Sequence, residues 1–374
     1  KRMEGRVVEA LRLGAYQMLF LDKIPHSAAV NSSVELTRRY CKNPRAAGMA
    51  NGILRSLERN LDDLPTIPKT DPISYFSVLY SHPEWLVEEF MAVLGSGETA
   101  QLLAANNGRA PITALANTTR TTVEELAAAL EGEGATVRPH PWLADCLILS
   151  KTGNLERLAA FQKGLFYIQD PASKLAALAL DPRPDMRVLD CCAAPGGKSF
   201  AAAIQMEGRG EVVSCDLHPH KKKLIQAGAA RLGLENITPN TADGKAFRPE
   251  WEGAFDRVLV DAPCSGLGVI RKKPDIRYKD RQPLLGLPRV QRAILDNAAR
   301  YVKPGGVLVY STCTLLDREN QEVVLGFLAD HPAFRAEGFP LPEHVGDART
   351  GMLTLWPHRQ GADGFFISKL RREG

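Results

Sequence analysis

Arg187-Val188-Leu189-Asp190-Cys191-Cys192-Ala193-Ala194-Pro195-Gly196-Gly197-Lys198-Ser199 decides how the chain must fold. It opens on a short apolar run and closes on a proline and two glycines ahead of an alanine-rich stretch. That order reads as strand, tight turn and helix. Glycine in such a turn lets backbone N–H groups approach a ligand closely. Three further runs repeat the opening: Glu211-Val212-Val213-Ser214, Arg257-Val258-Leu259-Val260 and Gly306-Val307-Leu308-Val309-Tyr310. Helical stretches separate them. Short apolar strands alternating with helices make a parallel sheet covered on both faces. A Rossmann-like, doubly wound α/β domain is therefore expected over residues 169–374.

Upstream, residues 1–68 read as a helical unit. Val7, Val8, Leu11, Ala15, Leu19 and Phe20 recur at helical spacing. Ser32 and Glu35 have the form of a capping box, and Pro44 stands near the start of a helix over 46–61. Leu64-Pro65-Thr66-Ile67-Pro68 is stiff and reads as a linker. Residues 69–168 mix two patterns. Pro83 opens a helix expected to stop at Gly95 or Gly97, and Thr121 with Glu124 caps a helix over 123–130. Pro111-Ile112-Thr113-Ala114-Leu115-Ala116 and Cys146-Leu147-Ile148-Leu149 read as strands. Together these make a small α/β domain.

The bulk numbers agree with several soluble domains. A chain of 374 residues is too long for one ordinary core. Its 44% hydrophobic and 24% charged content is that of a globular protein. The formal net charge of +4 favours a polyanionic partner only weakly. Seven cysteines, an odd number with no CxxC pair, argue against a disulfide framework or a zinc site and fit a reducing, cytoplasmic setting with no metal. No apolar run is long enough to cross a membrane. Lys1-Arg2-Met3-Glu4 has no signal-peptide character and reads as the interior of a helix. Nothing implies an oligomer.

Two familiar readings of the glycine turn fail. A phosphate-binding Walker loop needs glycine five residues before Gly197, where Cys192 stands, and the dinucleotide pattern GxGxxG is absent. The second strand ends in Ser214-Cys215-Asp216, with an acid about 20 residues past the turn, placed for a ribose diol. Ala242-Asp243-Gly244 has the form of a loop after a third strand, near the other end of the same ligand. Either aspartate alone would as readily cap a helix or turn a loop. The ordered set points to a nucleoside-bearing cofactor. Two later strands end in Asp261-Ala262-Pro263-Cys264-Ser265-Gly266 and Tyr310-Ser311-Thr312-Cys313-Thr314. A lone strand-end cysteine is usually a packing residue. At the ligand-binding edge of an open sheet, a thiol can instead be exposed and tuned.

These contexts resemble the Nol1/Nop2/Sun family of RNA cytosine-C5 methyltransferases, and within it the bacterial Sun/Fmu (RsmB-type) branch. Leu189 to Ser199, Asp261 to Gly266 and Ser311 to Cys313 match the family's main motifs, and the resemblance extends to Asp363-Gly364-Phe365-Phe366. It implies S-adenosylmethionine as methyl donor and a cytosine of 16S ribosomal RNA, unassembled or partly assembled, as substrate. It implies Cys313 as the nucleophile that adds to C6, which makes C5 electron rich. Cys264 would assist proton removal at C5 and product release, and Asp261 would contact the ring beside the donor. Cys192, Ala193, Ala194, Pro195, Gly196, Gly197 and Lys198 would wrap the cofactor, with Asp216 at the ribose and Asp243 near adenine. DNA cytosine-C5 methyltransferases share part of this pattern but take their nucleophile from Pro-Cys. The amino-terminal helices, around Arg45 to Arg55, resemble a NusB-type RNA-binding domain, which is expected to be shortened here.

Arg271-Lys272-Lys273 leads into Pro274-Asp275-Ile276-Arg277-Tyr278. This basic segment with an aromatic follows Cys264 closely, so Arg271, Lys272, Lys273 and Arg277 are expected to grip RNA phosphates. As a bare charge run it would be a solvated surface. Two other classes compete: a nucleotide-binding ATPase built on Gly-Gly-Lys-Ser, against which the missing first glycine argues, and an RNA-binding assembly factor with an inactive methyltransferase fold, against which the presence of both Cys264 and Cys313 argues.

Overall fold

The computed structural model describes residues 3–374. Of the helical interior expected at Lys1-Arg2-Met3-Glu4, the first two residues lie outside the described residues, and Met3 and Glu4 are not helical, since the first helix starts at Gly5 with Glu4 extended ahead of it. The chain forms two units, one ending at Asp71 and one running from Pro72 to Gly374.

The first unit holds α1 (Gly5–Phe20), α2 (His26–Tyr40) and α3 (Ala46–Arg59). Met18, Ala29, Val30 and Leu54 make its core. Gly14 brings the three helices together, since a Cβ there would lie 2.6 Å from Ser33 Oγ and 2.9 Å from Leu54 Cδ1. The expected capping box at Ser32 does not form. α2 already starts after Pro25, so Ser32 and Glu35 are mid-helix.

The second unit opens with α4 (Pro72–Tyr80) and α5 (Glu84–Asn106). α5 does not stop at Gly95 as expected; it kinks there, at φ 71°, and continues. A four-stranded antiparallel sheet follows: β1 (Ile112–Ala116), β2 (Thr136–Pro139), β3 (Cys146–Ser150) and β4 (Phe166–Ile168), in the order β2-β3-β1-β4. Helices α6 (Val123–Gly132) and α7 (Ala159–Gln162) complete a βαββαβ pattern. Leu126, Leu130, Leu147, Leu149 and Phe166 are buried between α6 and the sheet. Thr122 and Glu125, one residue on from the expected pair, form the capping box of α6.

The large sheet carries the site. Its strands are β5 (Arg187–Asp190), β6 (Glu211–Asp216), β7 (Ile237–Thr241), β8 (Phe255–Asp261), β9 (Val302–Thr312), β10 (Phe334–Ala336), β11 (Met352–Leu355) and β12 (Phe365–Arg372). Their order is β10-β12-β9-β8-β5-β6-β7, with β11 also paired to β12. Strands β5 to β9 are parallel, while β10, β11 and β12 join antiparallel. Alternate residues supply the two faces. Val188, Val307 and Val309 pack with α8 (Pro171–Leu180), α9 (Gly197–Gln205) and α10 (Pro219–Leu232). Leu189, Leu308 and Tyr310 pack with α12 (Leu287–Ala299) and α13 (Gln321–Asp330) on the other side. Each such aliphatic side chain contributes about 1.5–3 kcal/mol by leaving water. The short helices α11 (Arg281–Leu284) and α14 (Pro357–Gln360) lie in the connections. Parallel pairing brings the carboxyl ends of β5, β6, β8 and β9 to one edge, where ligands of such sheets bind. Among the described residues, no helix is long and apolar enough to cross a membrane.

Candidate active site

The turn between β5 and α9 is fixed from below by a buried polar chain. Asp190 accepts from Ser199 Oγ (2.8 Å) and from Cys192 N (3.4 Å), and Ser214 Oγ lies 2.8 Å from Ser199 Oγ. Burial pushes the Asp190 carboxyl up to about 7. Gly196 caps α9 at φ 117°, a left-handed conformation in which a Cβ would also strike the Phe200 ring at 2.3 Å.

On either side of this turn lies a cavity. The larger, about 390 Å³, is lined by Cys192, Asp216, Asp243, Asp261, Cys264 and Ile294 among others. Asp216 accepts from His218 N at 3.3 Å and lies 3.5 Å from Lys221 Nζ. Asp243 accepts from Lys245 N at 3.0 Å. Gly244 keeps the far wall tight, since a Cβ there would press Ile294 at 3.2 Å. Carboxylates at the ends of two neighbouring strands and an apolar slot of Ala242, Pro263, Val290 and Ile294 suit a nucleoside: a diol donates to the former and a base slides into the latter.

The smaller cavity, about 270 Å³, is walled by Gln169, Lys198, Asp261, Lys272, Asp363 and Phe365 among others, with Ala193, Pro195 and Gly197 from the turn. Ala194, Asp261 and Cys313 line both cavities. Lys198 therefore lies in the wall of the smaller space. Its Nζ bonds Asp261 Oδ2 at 2.7 Å and stands 5.0 Å from the centre of the Phe365 ring. Ser311 Oγ donates to the other oxygen, Asp261 Oδ1, at 2.8 Å.

At the boundary of the two spaces the half-buried thiols of Cys264 and Cys313 meet, Sγ to Sγ 3.3 Å. The hydrogen bond from Cys264 holds the Cys313 thiol below its ordinary value, against the opposing effect of burial. The same bond, with burial, holds Cys264 well above its own. The two thiols are thus unequal, with Cys313 the more acidic of the pair. Their loops are braced together: Ser265 Oγ lies 2.7 Å from Thr314 Oγ1, and Glu319 Oε2 accepts from Ser265 N at 2.9 Å and Gln291 Nε2 at 2.9 Å. Gly268 N donates to Cys313 O at 2.9 Å, and Gly364 N to Gly268 O at 2.8 Å. A Cβ on Gly268 would lie 2.0 Å from Gly364 O.

Three of the four residues expected to grip phosphates have partners inside the protein. Arg271 is buried and pairs with Asp363 at 3.2 Å and Asp170 at 3.8 Å. Lys272 Nζ bonds Asp170 Oδ2 at 2.6 Å and Asp363 Oδ2 at 2.7 Å, and its side chain borders the smaller cavity. Arg277 is buried and reaches Ser81 O at 3.1 Å and Asn107 Oδ1 at 2.7 Å. Arg271 and Arg277 thus hold fixed partners, as buried charges require, while Lys272 remains exposed beside its two carboxylates. Lys273 stays exposed. In the quartet, burial and the Asp170 charge push the Asp363 carboxyl up to about 6. Burial is the strongest single influence on Asp170 and raises it, but the Lys272 charge and hydrogen bond, with the N–H groups of Asp363 and Ala172, together lower that group. No local pattern marks this quartet, whose acids lie 193 residues apart along the chain. The brace at Glu319 and the role of Gln169 as a wall were equally unmarked. Among the described residues, no group of three or more His, Cys, Asp or Glu is placed to hold a metal ion.

Comparison with known proteins follows the same division of the chain. Residues 177–371 match the family described as 16S rRNA methyltransferase RsmB/F, 82–156 match the ferredoxin-like domain of RsmF/B-like methyltransferases, and 1–59 match the NusB family. A probable ribosomal RNA small subunit methyltransferase B of Bacillus subtilis is 41% identical, over 100% of this chain and 84% of its own length. The crystal structure of PH0851 is 29% identical with a TM-score of 0.82, covering 98% of this chain and 82% of that one. The structure of NSun6 from Pyrococcus horikoshii with SFG has a TM-score of 0.70 at 23% identity, covering 79% and 100%, and shares the fold. The site therefore stands in known company: the methyl donor is S-adenosylmethionine, and the chain belongs to the RsmB/F 16S rRNA methyltransferase family.

Proposed function

We propose that this chain methylates C5 of a cytosine in 16S ribosomal RNA through a covalent bond between Cys313 Sγ and C6. The observation that carries the reading is the contact of two thiols, 3.3 Å apart, at the boundary between two cavities. The larger cavity takes the cofactor, with Asp216 at the ribose and Asp243 toward the adenine. When bound, S-adenosylmethionine supplies an electrophilic methyl group. The smaller cavity takes the target base, which leaves its stack to enter.

The hydrogen bond with Cys264 lowers the Cys313 thiol and so favours its ionised form. The thiolate adds to C6 of the base, and electron density moves to C5 and N3. Lys198, fixed by Asp261, brings positive charge to the wall where that density builds. Asp261 borders both spaces and so aligns ring and donor. Once Cys313 is bonded to carbon, Cys264 is free to give up its own proton to solvent; after methyl transfer it takes the C5 proton, the C5–C6 double bond re-forms and the C6–Sγ bond breaks to free Cys313. Lys272 at the cavity mouth and exposed Lys273 serve the RNA backbone. The substrate is cytoplasmic small-subunit RNA, free or partly assembled.

The ATPase alternative loses its key residue. A phosphate-binding lysine must face the glycine turn's amides, and Lys198 is committed to Asp261. Labelled-cofactor transfer to 16S RNA, followed by mapping of 5-methylcytosine, tests the reading. Cys313→Ala should abolish transfer and protein–RNA adducts while sparing cofactor binding. Normal turnover by Cys313→Ala would overturn the assignment, and no transfer by the native chain would leave an inactive assembly factor.

A further inference from the structure

We propose that Gln169 reads the exocyclic amino group of the target cytosine and so sets the preference for cytosine over uracil. This rests on the smaller cavity being the base site. Gln169 is 9% exposed and forms part of that cavity's wall. Its backbone is pinned on both sides: its N–H donates to Thr113 O at 3.3 Å, and its carbonyl accepts from Thr113 Oγ1 at 2.6 Å. Its Nε2 donates to Ser173 Oγ at 3.1 Å, whereas its Oε1 is buried with no partner. Gly197 makes the room for this amide, because a Cβ there would lie 2.8 Å from Gln169 Nε2.

An orphaned buried acceptor is costly unless a ligand supplies an N–H. The other acidic oxygens of the wall are already engaged. Asp261 takes Lys198 and Ser311, Asp363 takes Arg271 and Lys272, and Asp170 takes Lys272 and backbone N–H groups. C6 must present its ring face to Cys313 Sγ with C5 toward the larger cavity, because both new bonds form perpendicular to the ring. The C4, N3 and O2 edge is left for the remaining walls. Cytosine there offers an N–H donor at C4, which satisfies Gln169 Oε1. Uracil offers a carbonyl oxygen at the same place and leaves two acceptors facing each other. A site built to bond a substrate N–H discriminates strongly against analogues that lack it.

The test uses the full chain and a 16S RNA fragment carrying the mapped target cytosine, beside the same fragment with 2-pyrimidinone there, a base that lacks the amino group. In Gln169→Leu, methylation of the cytosine fragment should slow by about tenfold or more. Adduct formation with 2-pyrimidinone, read on a denaturing gel, should stay within about twofold of the native rate, and calorimetric affinity for S-adenosylmethionine should not change. Equal slowing on both bases, no slowing on cytosine, or a matching loss of cofactor affinity would each overturn the role of Gln169 while leaving the base site intact. A native chain that forms no adduct with either base would overturn the base-site reading itself.

Discussion

Two sulfur atoms lie 3.3 Å apart in the site, one held more acidic than the other, and that inequality is the residue-scale basis of the proposed chemistry. Removing the donor should have two opposite effects. In Cys264→Ala the Cys313 thiol loses the bond that lowers it, so adduct formation should require a higher pH than in the native chain. The adduct, once formed, should persist, because the group that assists its release is gone. A pH series of adduct formation, followed by a chase, checks both halves; an unshifted profile with rapid release would contradict them. Asp190 offers a separate test. Burial raises its carboxyl from 3.8 to about 7, so the fold favours the neutral form. That contribution is complete below about pH 4 and is lost as pH rises through about 7. Asp190→Asn should therefore gain melting temperature relative to the native chain across this interval, and a constant difference would count against the assignment. Both cysteines could be read from their strand-end contexts. Their unequal acidity could not, because it depends on a 3.3 Å approach between residues from different loops.

At the scale of elements, the segment after Cys264 changes its meaning. Its sequence reads as a basic strip for RNA. Folded, Arg271 and Lys272 join Asp170, which caps α8, to Asp363, which precedes β12. The quartet welds the start of one helix, the loop of one thiol and the approach to the last strand. Arg271→Glu should then destabilise the protein by roughly 3–5 kcal/mol, the usual cost of breaking a buried ion pair. Thermal or denaturant unfolding measures it, and a change confined to RNA affinity with normal stability would reverse this view. Local readings fared according to how local their causes were. Strands β5, β6, β8 and β9 announce themselves because β-branched runs buried on both faces carry the signal in their own residues. The antiparallel strands β10 and β11 and the length of β12 do not, because their burial comes from pairing with distant partners. The capping box slipped by one residue since Thr121-Thr122 and Glu124-Glu125 offer the same spacing twice.

For the whole molecule, the division of labour is uneven. Every residue assigned to cofactor or thiol chemistry lies beyond Pro72, within the second unit. A chain of residues 72–374 should bind S-adenosylmethionine with the affinity of the full chain, as calorimetry would show. Loss of cofactor binding on removing the helical unit would mean that the site is shared. The order of domains was legible because each has its own period of hydrophobic residues. The two-cavity layout was not, since a cavity is made by what several segments leave unfilled. The bare backbone contact of Gly268 with Gly364 has a consequence for change in this protein. Cys313 hangs from that contact through its own carbonyl, so the proposed reactive sulfur depends on the approach to β12, some distance on in sequence. Insertions near the carboxyl terminus, far from the thiol in sequence, would silence it as surely as replacing the cysteine.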